Sequence, residues 1–243
     1  LFEFIITKHK KGYFLECEKK IIDELFIKLN SYKFRSKVEI LNLSNEFVVA
    51  VLSREKFLTL ENSKDVLGYT TKFREDPIYL DPRHKDLGAR LITNLEKLHL
   101  SLKLLELKSS NLDEYYSVSN KLGIPQINTD KLQNNLFGIE CNLNELNGID
   151  FKKGCYVGQE NTARIKLKDK LSKRLFPVEV IEGDLSKDNI IHHENTELGK
   201  VLINNKFPFA IVKFKDKNFK FEKIFKCGSA SVKIKKPYWF KFD

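Results

Sequence analysis

From Arg174 onward the apolar residues of this chain keep to strand spacing. Arg174 to Ile181, Leu198 to Ile203, Phe207 to Lys215 and Ala230 to Lys235 alternate or run apolar at strand length, with Gly, Pro, Asn or Asp between them. A period of two puts alternate side chains on one face, and such a face is buried by pairing into a sheet. A succession of short strands broken by turn residues therefore predicts a small antiparallel β-domain over 172–243. Residues 1–171 read differently. Leu1 to Thr7 and Tyr13 to Cys17 are expected to be strands joined by a turn at 9–12. Ile21, Ile22, Leu25, Phe26 and Leu29 recur at helical spacing. Val38 to Leu43 and Glu46 to Leu52 are expected to pair as strands across a Ser-Asn turn, while 53–68 is mixed and gives no firm pattern. Asp76 to Arg83 reads as a short strand ending in a turn, and Gly88 to Thr93 as the next strand. Asp113 to Leu122 is expected to be a helix, stopped by Gly123 and Pro125. Beyond it the chain is loop-rich up to about residue 150. The expectation is α+β followed by β, divided at 171/172.

Size and charge narrow the function. A chain of 243 residues suits one large domain or two modest ones. No uncharged apolar run approaches the ~18 residues a membrane span needs. The opening Leu1–Thr7 is too short and too acidic for a signal peptide and reads as a strand. The four cysteines, at 17, 141, 155 and 227, lack paired metal-ligand spacing, which favours a reducing compartment and gives no metal site. The adjacent His192 and His193 are expected in a surface loop. The net charge of +10 is unevenly spread: 1–151 balances 22 basic against 22 acidic residues, 152–174 holds 8 against 2, and 200–243 holds 12 against 3. Such a field suits an anionic partner, such as a polyglutamyl tail, a phosphate or RNA, or else it is a lysine-rich solvated surface. The chain holds no methionine, even at position 1, as expected of a non-standard start or of a fragment.

The residues most specialised for chemistry are Lys153-Gly154-Cys155-Tyr156-Val157-Gly158-Gln159-Glu160, followed by Ala163-Arg164. Two glycines flank a thiol, and Lys153 and Arg164 bracket it with positive charge. Nearby cations favour the thiolate, which is the nucleophilic form of cysteine. The alternative for Cys155 is a small buried hydrophobe. Gln159 and Glu160 could hydrogen-bond the motif loop or cap a helix. The Phe–Lys interleaving from 207 to 226 could stack on single-stranded nucleic acid or be a half-buried strand.

This octet with its trailing Ala-Arg resembles the signature of the folate-binding YgfZ family, relatives of the glycine-cleavage T-protein. Further stretches are similar to its mitochondrial and alphaproteobacterial branch: Tyr32 to Val38, Asp81-Pro82-Arg83 with Leu87-Gly88-Ala89-Arg90, Tyr115-Tyr116, Leu122 to Pro125, Glu140 to Leu143, Gly148 to Phe151, Lys173 to Val178 and Lys236 to Trp239. The resemblance implies T-protein-like folate-binding domains followed by a C-terminal antiparallel β-barrel, and an opening segment ahead of Leu1. It also implies tetrahydrofolate or a derivative as cofactor. Glu140 would pair with the pterin edge, whose adjacent N–H donors suit a carboxylate. Asn142, Gly154, Tyr156, Gly158, Gln159, Glu160 and Arg164 would line the site, with Cys155 as functional thiol and Lys153 beside it. The implied function is accessory: assembly or repair of iron–sulfur enzymes, with client or assembly proteins as partners, in the cytoplasm or, in a eukaryote, the mitochondrial matrix. Two alternatives stay open, a tetrahydrofolate-dependent aminomethyltransferase-like activity and a tRNA-modifying role. No position here matches the T-protein's catalytic aspartate, and no RNA-binding motif is present.

Overall fold

A computed structural model of the chain describes residues 2–154, 160, 171–185 and 189–241. It comprises two compact units, Phe2–Leu112 and Asp113–Asp243.

The first unit opens with an antiparallel hairpin of β1 (Ile5–His9) and β2 (Gly12–Glu16). Helix α1 (Ile22–Tyr32) follows, with Leu25 buried and Asp23 and Glu24 in its first turn, where carboxylates complement the helix dipole. Then come β3 (Val48–Leu52), α2 (Arg54–Leu58), β4 (Thr70–Phe73), β5 (Asp76–Leu80), β6 (Ala89–Thr93) and α3 (Leu95–Leu104). The strands form an antiparallel sheet in the order β3-β6-β5-β4, and every residue of the two central strands is buried. Ser53 and Asn94 start α2 and α3 by accepting the backbone N–H of Lys56 and Lys97.

The pairing of β3 corrects one expectation. Its partner is β6, with Val48 opposite Thr93 and Leu52 opposite Ala89, whereas Val38 to Leu43 forms no strand. Asn42 directs its amide to Asp23 and accepts the N–H of Ser44, and the N–H groups of Glu46 and Phe47 both bond the carbonyl of Leu43. That turn satisfies locally the groups a hairpin would have used.

The second unit begins within α4 (Leu112–Lys121), at Asp113. Gly123, at φ +71°, ends it: its N–H bonds the carbonyl of Asn120, and that of Ile124 bonds the carbonyl of Ser119. This is the Schellman pattern, which needs a left-handed residue at that position. The later strands are β7 (Arg174–Glu182), β8 (Ile190–His193), β9 (Thr196–Ile203), β10 (Phe209–Val212), β11 (Ile224–Cys227) and β12 (Ala230–Ile234). They close an antiparallel barrel in the order β10-β7-β12-β11-β8-β9. Closure removes the exposed edges that a flat sheet of these strands would present. Inside, Phe176 meets Phe214, Phe221 and Phe240 edge-on at 5.0–6.3 Å. The Phe–Lys interleaving is thus largely barrel core on its Phe side, since Phe209, Phe214 and Phe225 are buried. His192 and His193 lie on β8 rather than in a loop, and His193 packs against Phe225. A strand forms there because Ile191 inserts into the core, carrying both histidines into the ladder.

Described residues between α4 and β7 pack with the barrel. Ile139 and Leu171 join its main core, while Leu132, Cys141 and Leu143 cluster with Leu175, Ile203 and Phe209. Among the described residues no helix is long and apolar enough to cross a membrane.

Candidate functional site

Glu140 sits in a hydrogen-bonded turn, Phe137 to Asn142. At its start one Glu140 carboxylate oxygen accepts the backbone N–H of Phe137 at 2.9 Å, the back-bond of a capping box. At its end Asn142 adopts φ +61°; its N–H bonds the carbonyl of Ile139, and that of Leu143 bonds the carbonyl of Gly138. The turn therefore closes as α4 does, with asparagine in place of glycine. Asparagine is among the few residues that visit the left-handed region readily.

The choice of asparagine is explained by its side chain, which is fully buried. Its amide donates to the carbonyl of Leu175 at 2.8 Å, and its oxygen accepts from Arg174 Nη1 at 2.9 Å. The N–H of Leu175 in turn bonds the carbonyl of Glu140 at 2.8 Å, and Arg174 Nη2 lies 2.7 Å from Glu145. The Arg174 guanidinium stands over the rings of Phe240 and Phe214, at 5.3 and 5.8 Å. The half-buried Glu140 is thereby fastened to the start of the first barrel strand, with Oε1 lacking a hydrogen-bond partner among the described residues. A carboxylate offers about four acceptor positions, so the cap leaves capacity for donors from a ligand.

The structure places Lys153, Gly154 and Glu160 at exposed positions. Just before them the N–H of Lys152 bonds the Asp150 side chain, turning the chain into the glycine-flanked motif. Cys155, Tyr156, Gly158, Gln159 and Arg164 lie outside the described residues. Of the expected site, Glu140 and Asn142 are brought together. Asn142 is fully buried, with its amide nitrogen and oxygen each bonded within the protein. Arg174, which now belongs with them, stood in the sequence only as part of a matched stretch; its one local signal was a cation opening an apolar strand.

The first unit holds a second polar assembly that local reading missed. Asp81, fully buried, accepts from the backbone N–H of Arg83 (2.9 Å), from Arg83 Nη2 (2.7 Å) and from Arg90 Nη1 (3.4 Å). Arg90 also pairs with Glu16, which accepts the hydroxyl of Tyr79, and Arg83 reaches Glu3 at 2.9 Å. Burial pushes the Asp81 carboxyl up, but Arg83 and Arg90 outweigh it and hold it below the usual range. Burial, then Glu16, raises the Tyr79 phenol far above its ordinary value. These groups pair with one another and join the hairpin to the sheet. Nearby Cys17 is pushed up to about 11 by burial and by Glu16 and Glu18, so it stays a thiol at neutral pH. Cys141 and Cys227 are buried.

No protein-family model matches the chain. Sequence comparison finds distant relatives. The chain is 32% identical over 186 residues to the mitochondrial iron-sulfur cluster assembly factor IBA57 of Mus musculus, covering 76% of this chain and 49% of that protein. It is 29% identical over 181 residues to the IBA57 homolog of Dictyostelium discoideum (74% and 44%) and 30% identical over 172 residues to IBA57 of Homo sapiens (70% and 46%). The matches thus span about half the length of these curated relatives. In fold the chain resembles the glycine cleavage system aminomethyltransferase T from Bartonella henselae, with a TM-score of 0.71 over 99% of this chain and 72% of that one, at 11% identity.

Proposed function

We propose that this chain is a folate-dependent accessory protein for the assembly or repair of iron–sulfur enzymes, working in the mitochondrion. The observation that carries this reading is the distant relationship to proteins named as mitochondrial iron-sulfur cluster assembly factors. In this reading Glu140 holds the pterin of tetrahydrofolate, and its residues fit the task. The carboxylate is half-buried, oriented by the Phe137 N–H, and keeps acceptor capacity for two adjacent N–H donors. When bound, tetrahydrofolate supplies a reduced pterin able to carry a one-carbon unit. Asn142 serves by fixing the turn rather than by touching the ligand, because its amide is already committed to Leu175 and Arg174. Lys153 is exposed and adjoins Cys155 in sequence; with Arg164 it supplies positive charge for the glutamyl tail and for lowering the thiol's pKa. Gly154, Tyr156, Gly158, Gln159 and Glu160 complete the proposed cofactor contacts. Cys155 is the thiol that meets the iron–sulfur client or assembly partner.

Calorimetric titration of tetrahydrofolate under anaerobic conditions tests the cofactor assignment. Glu140→Ala should weaken binding by about 1.5–3 kcal/mol, the usual worth of a charge-assisted hydrogen bond. Equal affinity of the two proteins would mean that the pterin is not held by Glu140.

A further inference from the structure

The turn that carries Glu140 is only six residues long, too short to hold a shape by its own hydrogen bonds. What holds it lies more than thirty residues away, at the start of β7. Leu175 bonds the backbone of Glu140, Asn142 bonds Leu175 and Arg174, and Arg174 spans Asn142 and Glu145. Arg174 is the hub of this clamp. Its Nε has no hydrogen-bond partner among the described residues, so its two Nη groups and the rings of Phe214 and Phe240 set its direction. We propose that Arg174 is a positioning residue for Glu140: its planar fork holds the Asn142 amide and the Glu145 carboxylate together, and so fixes where the Glu140 carboxylate stands. The inference rests on Glu140 being the pterin-binding carboxylate. Lysine keeps the charge above the two rings but offers no rigid fork, so Arg174→Lys removes the positioning while keeping the cation.

A double-mutant cycle on the full chain, read by tetrahydrofolate titration, tests this. Arg174→Lys should weaken binding about tenfold in the wild-type background, within the range for coupled neighbours, and should have no further effect once Glu140 is alanine. An equal loss in both backgrounds would show a general structural effect and overturn the proposal, as would no loss at all. If Glu140→Ala weakens binding and Arg174→Lys does not, the cofactor reading stands and the positioning role falls. If Glu140→Ala binds like wild type, both fall. Should Arg174→Lys fail to fold, Glu145→Gln replaces it, since it weakens one arm of the fork and leaves the arginine in place. The same two-background comparison then decides.

Discussion

At the scale of single residues, Asn142 combines two requirements that are usually met separately. Its backbone takes the left-handed conformation that ends the Glu140 turn, and its buried amide ties that turn to β7. The two can be separated by substitution. Asn142→Gly keeps the backbone conformation and loses the side-chain bonds, leaving a Leu175 carbonyl and an Arg174 N–H short of partners at about 1–3 kcal/mol. Asn142→Ala adds left-handed strain of about 1–2 kcal/mol. Chemical denaturation should therefore rank wild type above glycine above alanine; alanine matching glycine would show that the strain contributes nothing. Asp81 gives a second residue-scale test. Its folded pKa lies below the unfolded value of about 3.9, so its contribution is complete above that pH and is lost as pH falls through the folded pKa. Asp81→Asn leaves Arg83 and Arg90 without their shared buried charge and should cost about 3 kcal/mol at neutral pH. It should also flatten the acid limb of the stability curve. Urea titrations at neutral pH and below ~4 would check both, and an unchanged acid limb would remove Asp81 from the account.

Elements whose burial is local were legible in the sequence. Helices α1 and α4 and the strands β7, β9 and β12 show apolar spacing over enough residues to declare their period, β10 falls within the longer run Phe207 to Lys215, and Gly123 marks the end of α4. The four-residue strands β4, β8 and β11 are too short to show a period, and α3 follows β6 without an expectation because its apolar residues are largely exposed Leu95, Leu100 and Leu104. Val38 to Leu43 misleads because alternation alone does not name a partner, and β3 finds its partner in β6, about forty residues away. The same limit applies to the site. Glu140 was singled out through its matched stretch, but its attachment to Arg174 and Leu175 was not legible, because nothing local at Arg174 points back to residue 142. Within the barrel, Gly199 of β9 faces β10 with no room for a side chain. A Cβ there would stand 2.3 Å from the carbonyl of Ile211. Gly199→Ala should force these strands apart and cost at least the ~1–3 kcal/mol of an overpacked core. A melt unchanged from wild type would mean that the barrel gives way there at no cost.

Across the whole molecule the positive charge gathers on 152–174 and 200–243, while the first 151 residues balance. If that charge serves a folate tail, affinity should rise with each added glutamate on the ligand and fall with salt, since exposed charges are screened beyond ~10 Å at 0.1 M. A tRNA should bind only loosely and lose affinity steeply over the same salt series. Tight tRNA binding at physiological salt, with no preference among folates, would favour the tRNA alternative. The central claim is that a folate-binding carboxylate, Glu140, and a motif thiol, Cys155, together serve iron–sulfur enzymes. It is tested most directly by restoring iron–sulfur enzyme activity in cells that lack their own IBA57 factor, using wild type, Glu140→Ala and Cys155→Ser at equal abundance. The account predicts restoration by wild type and little or none by either variant. Failure of the wild-type chain, or full restoration by both variants, would contradict it.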